Sequence, residues 1–484
     1  MIQHGATPVS RLPLELLQEI FLYHVWADKS SPIDLLFTNK TWYKAAIATS
    51  ALWSRIMLGN RPRQPGMLYF TTPGRVQCTN LSSFAHAIKR AGHSPLELTI
   101  TCSNLSFEQD DITEFKSSVD SEWLSRCRSL VWLSISALAG GHLFLRLFHA
   151  AKYDALEHLT IWSMTQPIGL ELEAFMQQIE ATAVNLRSVT LTPVLEYGWN
   201  GVALHKYPKL LRRLHALRLS ITGLTIWQNL VNLVELDISL PTPRIQTQMI
   251  LPPTIPLTRL TMREHVDTGA LVPSIFASLT HLTLETNGFW NSGIPFPPFT
   301  ALSSLELRVL YLNLPSFTAP SLHSLTLRPY SSAQTIYMKP FRIFGLNPKV
   351  LLIDRCQNET DLVDILRELS NCIEDLHVSS RFRQHVLGNP LTMALCVSGK
   401  DLLAPNLASL TVTSEPPASE DKEVAILSNL RRISRRSEDA SKAVKVKYGI
   451  FPSFDRTRVM APENKWEGTV EWVEPLEDDL SQPL

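Results

Sequence analysis

Leu279-Thr280-His281-Leu282-Thr283-Leu284 is followed 23 residues later by Leu302-Ser303-Ser304-Leu305-Glu306-Leu307, and 20 residues after that by Leu322-His323-Ser324-Leu325-Thr326-Leu327. Each segment reads L-x-x-L-x-L. Its last three positions alternate apolar, polar, apolar, as a strand does when one face is buried and the other meets water. Toward the N-terminus the spacing recurs at Leu257, Leu233, Leu214, Leu186, Leu156, Leu130-x-x-Leu133-x-Ile135 and Pro95. Toward the C-terminus it recurs at Pro348, Ile373 and Leu407. These 13 copies have a mean spacing of about 26 residues.

One such strand cannot bury its apolar side alone, so neighbouring copies must stack and share a continuous core. A period of 20–29 residues with this motif is the leucine-rich-repeat signature. The expected fold class is α/β: a solenoid with a curved parallel sheet and helices or loops on its convex side. Segments 175–183 and 361–369 have the apolar spacing of return helices, while the short step from Leu302 to Leu322 leaves room only for a loop. Repeats of this kind commonly place Asn or Cys three residues after the last Leu. Only Asn287 fits clearly, so an uneven arc without a regular Asn ladder is expected.

Composition narrows the function classes. Leucine supplies 74 of 484 residues and Gly only 19, which disfavours Gly-rich phosphate loops. The 45 basic and 45 acidic residues cancel, so the basic surplus of a phosphate-driven nucleic-acid binder is missing and none is expected as a partner. Six scattered cysteines without a C-x-x-C suit reduced thiols better than a disulfide scaffold or a zinc site. The first 11 residues lack the apolar run of a signal peptide. Segment 129–145 is uncharged but too short for a membrane span, so no membrane partner is expected. Nucleotide-loop, zincin and nucleophile-elbow motifs are absent, and the chain is expected to be neither an enzyme nor a cofactor binder.

The first 60 residues differ from the repeats. Segment 13–25 reads as a helix with Pro13 at its first position. Segments 33–37 and 39–49 read as two more short helices, followed by Leu52-Trp53-Ser54-Arg55-Ile56. A unit this small with this many apolar residues needs a partner or a neighbouring domain.

Leu12-Pro13-Leu14-Glu15-Leu16-Leu17-Gln18-Glu19-Ile20-Phe21, Leu35-Leu36, Trp42 and Leu52-Trp53 together resemble the F-box, in the variant of large fungal families. Thr38-Asn39 stands where that family usually has Val-Cys, and Ala51 where Pro often precedes Leu-Trp. The resemblance implies a substrate receptor of an SCF-type (cullin–RING) ubiquitin ligase. Leu12, Pro13, Leu16 and Ile20 would face a Skp-type adaptor, with Leu36, Trp42 and Trp53 building or flanking that surface. An unknown protein substrate would lie on the repeats, and the location would be cytoplasmic, nuclear or both.

The expected organisation is an F-box-like unit over 8–60, a connecting segment over 61–93, the solenoid over 94–414, and a C-terminal helix, strand and acidic tail over 415–484. Alternation points Trp132, His158, His281, His323 and His377 outward as substrate contacts. Ser134, Thr160, Thr283 and Thr326 accompany them, with Trp162 and Trp227 as further candidates. Arg431-Arg432-Ile433-Ser434-Arg435-Arg436 reads as a solvated helix face, a nuclear signal or an anion patch. The tail after Lys465 holds six acidic residues and no basic one; it is either solvated or docked on a basic part of the arc. Two other classes stay open: a leucine-rich scaffold whose helical start is only a cap, and an enzyme with a deep polar pocket.

Overall fold

The computed structural model describes residues 12–27, 31–59, 74–101, 108–120, 122–134, 147–149, 151–163, 169–193, 204–220, 227–240, 255–264, 273–286, 298–309, 318–329, 346–354, 359–369, 372–380, 395–396, 403–414, 420–434 and 444–450. The chain forms two compact units, Met1–Leu233 and Val234–Leu484.

The first unit opens with helices α1 (Leu14–Ala27), α2 (Pro32–Leu36) and α3 (Lys40–Ala48). The starts of the second and third are set by side chains. Ser31 accepts from the Ile33 N–H while Asp34 accepts from the Ser31 N–H, and Asn39 accepts from the Trp42 N–H. These bonds satisfy backbone donors that a helix start leaves orphaned. A 3-10 turn, Ser50–Trp53, leads into β1 (Arg55–Leu58). Then come β2 (Val76–Cys78), α4 (Leu81–Ala91), β3 (Leu96–Thr101), α5 (Gln109–Ser118), β4 (Cys127–Ser134), β5 (His158–Ser163), β6 (Ser188–Pro193) and β7 (Ala216–Ser220). Their order in the sheet is β7-β6-β5-β4-β3-β1-β2. The connection from β5 to β6 carries the helix Gly169–Thr182.

The second unit holds β8 (Glu235–Leu240), β9 (Arg259–Glu264), β10 (His281–Thr286), β11 (Ser304–Val309), β12 (Ser324–Pro329), β13 (Val350–Asp354), β14 (Asp375–Ser380), β15 (Ser409–Ser414) and β16 (Lys445–Ile450). They pair in chain order, each parallel to the next. Helices Glu359–Leu369 and Glu420–Ser434 occupy two of the connections.

Register explains the leucine spacing. Leu282, Leu305 and Leu325 are direct neighbours in successive strands, as are Leu284, Leu307 and Leu327. All six are at most 1% exposed. Each buried leucine of this kind contributes about 2 kcal/mol of transfer free energy. A backbone ladder takes the place of an Asn ladder. In nine copies the carbonyl of the motif's second residue accepts from two N–H groups of the next copy, as Thr258 does from Thr280 and His281, and Thr280 from Ser303 and Ser304. Hydroxyls join it: Thr280 Oγ1 donates to the Thr258 carbonyl at 3.1 Å and Ser303 Oγ to the Thr280 carbonyl at 3.0 Å. Buried carbonyls at these turns are thereby satisfied.

Two sequence expectations need correction. The copy written as Leu130-x-x-Leu133-x-Ile135 is shifted: Leu130 pairs with Leu159 and Trp132 with Ile161, so Cys127, Leu130 and Trp132 face inward. Trp132 is 1% exposed rather than outward. It lies 5.0 Å from Phe148 and 5.3 Å from Phe175, ring centre to ring centre. Phe148 in turn meets Trp123, which stands edge-on to Phe84 and Phe115. This aromatic cluster fills the space behind β4 and fixes its register. The second correction concerns Arg55-Ile56, read as the end of a helical unit. These residues belong to β1, which pairs with both β2 and β3. The segment read as a connector contains β2 and α4.

Candidate functional site

Two surfaces concentrate residues that the core does not use. The first lies on α1–α3. Leu17, Phe21 and Val25 form the buried stripe of α1, at most 2% exposed, against Leu35, Ala45, Ala46 and Leu52. Apolar side chains also stand outside that stripe, interspersed with Glu15 and Glu19. Leu12 is 36% exposed, and Leu16 and Ile20 are each 47% exposed; Pro13 is exposed beside them. Tyr23, Phe37 and Tyr43 add to the same unit's exposed apolar surface. Leu36 and Trp42 are half-buried, and Trp42 packs 4.9 Å from Phe21. Trp53 is different: it is 1% exposed, donates from Nε1 to the Ala46 carbonyl at 2.9 Å, and lies under the Arg90 guanidinium. It fastens the helices to α4 and β1 from beneath.

The second surface is the outward side of the second unit's strands. Positions five and seven of successive copies carry an ion-pair row that alternation alone passes over as ordinary surface. Arg263 forks onto Asp237, with Nε to Oδ1 and Nη2 to Oδ2 both at 3.0 Å, and its Nη1 donates to Glu285 Oε2 at 3.2 Å. Glu285 is also 3.7 Å from Arg308, whose Nε donates to Glu306 at 2.8 Å. Glu306 lies 3.6 Å from Arg328. The centre of the row is dry: the side chains of Arg263, Asp237 and Glu285 are 11%, 13% and 6% exposed. Burial works against the Arg263 cation, but its bonds to Asp237 and the charges of Asp237, Glu285 and Glu306 outweigh it and raise its pKa.

The histidines do not converge. His158 is exposed beside Glu157 on the first unit. His281 and His323 are exposed and His377 is half-buried, on or beside β10, β12 and β14, which alternate with other strands. Burial and the Arg259 charge lower the pKa of His281. Burial, then Lys447, lowers that of His377 against the opposing pull of Asp375. The side chains of Trp162 and Trp227, the pair Arg435-Arg436 and the acidic tail lie outside the described residues.

Burial pushes the Cys78 thiol up to about 11, and raises those of Cys127 and Cys372 as well, which disfavours the thiolate a nucleophile needs. Among the described residues no cluster of three His, Cys, Asp or Glu is placed to hold a metal ion. Among them, too, no helix is long and apolar enough to cross a membrane. A cavity of about 500 Å³ between α4 and α5 is lined by His86, Lys89, Asp111 and Glu114, with Asp111 already accepting from the Glu108 N–H. The chain matches no protein-family model, no curated protein and no solved structure.

Proposed function

We propose that the chain is the substrate-recognition subunit of an SCF-type ubiquitin ligase. In this reading α1–α3 form an F-box that docks on a Skp-type adaptor. The parallel strands belong to a leucine-rich-repeat solenoid whose outward side holds a target protein. Bond chemistry takes place elsewhere in the complex, and this chain works by positioning.

One observation carries the reading. Of the ten exposed large apolar side chains among the described residues, eight lie between Leu12 and Tyr43. A concentrated apolar patch on a small helical unit marks a protein-binding surface. Leu12, Pro13, Leu16 and Ile20, the residues that the F-box resemblance aims at the adaptor, all belong to it. Covering the exposed halves of Leu16 and Ile20 is worth roughly 1 kcal/mol each.

Co-purification with a Skp-type adaptor tests the proposal. The unmodified chain is expected to retain the adaptor, and Leu16→Asp/Ile20→Asp to lose it with an unchanged melting temperature. A well-folded chain that retains no adaptor refutes it. The burial of Trp53 and the entry of β1 into the sheet favour a second reading, in which the helices only cap a leucine-rich scaffold. In that case no adaptor binds, and the double substitution improves solubility without removing a partner.

A further inference from the structure

The cavity between α4 and α5 has walls of opposite charge. His86 and Lys89 stand three residues apart on α4, and Asp111 and Glu114 three residues apart on α5. That spacing puts each pair on one face of its helix. No other charged side chain lines the cavity. The two walls do not neutralise each other: Asp111 is engaged with the Glu108 N–H at 3.2 Å, and the side chains of His86, Lys89 and Glu114 form no ion pair or hydrogen bond among the described residues.

The floor is apolar and fixed. Leu81 and Phe115 are buried there, and Phe115 is held by stacking on Phe84 at 5.7 Å and by an edge-on contact with Trp123 at 5.8 Å. The aromatic cluster therefore keeps the floor from folding in to close the gap between the charged walls. At the rim, the hydroxyls of Thr79 and Ser82 have no partner among the described residues. A concave space of about 500 Å³ with an apolar floor and a few polar groups around it has the form of a small-molecule site.

The charge pattern selects the ligand. A simple anion meets the two carboxylates of α5, and a simple cation meets Lys89. A molecule with a cation at one end and an anion at the other is attracted by both walls. Helices packed side by side stand about 8–10 Å apart. An extended dipeptide reaches about 7 Å, which places its terminal charges within reach of both.

We propose that this cavity binds a short zwitterionic peptide of dipeptide size. Its ammonium lies toward Asp111 and Glu114, its carboxylate toward Lys89 and His86, and an apolar side chain rests on Leu81 and Phe115. The inference stands whether or not α1–α3 bind an adaptor.

Isothermal titration calorimetry of the full chain with leucyl-leucine, N-acetyl-leucyl-leucine and leucyl-leucinamide tests it. The two capped peptides keep the apolar body and each lose one charge. Each is expected to bind about fivefold more weakly than the free dipeptide, the upper end for an exposed charge pair. Lys89→Gln should weaken the free dipeptide by a similar factor without weakening the amide, and Glu114→Gln should do so without weakening the acetylated form. Lys89 and Glu114 are exposed, so both variants should keep the melting temperature of the unmodified chain. Absence of binding up to about 10 mM dipeptide overturns the proposal. So do capped peptides that bind as tightly as the free one, and so does indifference to either substitution.

Discussion

Replacing Arg263 by Met is expected to destabilise the second unit by about 3–5 kcal/mol, the range for stripping the shared cation from buried carboxylates. The figure follows from burial. Arg263 makes three hydrogen bonds of 3.0–3.2 Å to Asp237 and Glu285, and all three side chains are at most 13% exposed. The same pairs on an open surface would be worth only about 0.2–1 kcal/mol. Two compact units need not unfold together, so one global transition is the wrong readout. Hydrogen exchange of the β9 and β10 amides in urea, followed by mass spectrometry, isolates the affected strands. Arg263→Met combined with Asp237→Leu and Glu285→Leu removes the stranded charges as well and should recover most of the loss. A single substitution costing less than about 1 kcal/mol would refute the reasoning, by placing the row in the screened, surface regime. A triple variant no more stable than the single one would assign the loss to the packing of the arginine stem.

Trp132→Ala should cost about 3–5 kcal/mol by opening a cavity among Phe148 and Phe175, whereas Thr160→Ala on the outward side of β5 should fall within about 0.5 kcal/mol; urea denaturation compares them. Gly59 has a φ of +108°, and a Cβ there would overlap the Thr101 carbonyl, so Gly59→Ala should lower the melting temperature by more than a surface Gly→Ala control. His377 has a lowered pKa, so the native state resists the proton that the unfolded chain takes up around 6.5. Stability should therefore be complete above about pH 7 and decline as the pH falls from there toward the lowered native value, with a shallower slope in His377→Gln.

The repeat was legible because its signal is covalent in spacing. A strand that buries one face must alternate, and thirteen alternations at intervals of 19 to 35 residues leave one economical arrangement. At twelve copies, motif positions four and six fall on the inward residues that the structure buries. At the thirteenth, apolar side chains occupy both parities: Leu130 and Trp132 on one, Val131 and Leu133 on the other. Alternation cannot choose between them; Phe148 and Phe175 do, by accepting the indole behind β4. Likewise Arg55-Ile56-Met57-Leu58 is too short to reveal its period, and becomes a strand because β2 and β3 offer their edges to it. The outward histidines were found by counting, yet they do not form a common site.

The sequence alone therefore determined the repeat, its parallel strands and an apolar helical start that the core does not fully absorb. All three follow from residue order along one strand or one helix. Tertiary structure decided which outward charges are dry. Asp237, Arg263 and Glu285 are separated by 26 and 22 residues and become neighbours only through the register of β8, β9 and β10. Burial is a property of what surrounds a group, and no window of sequence contains it.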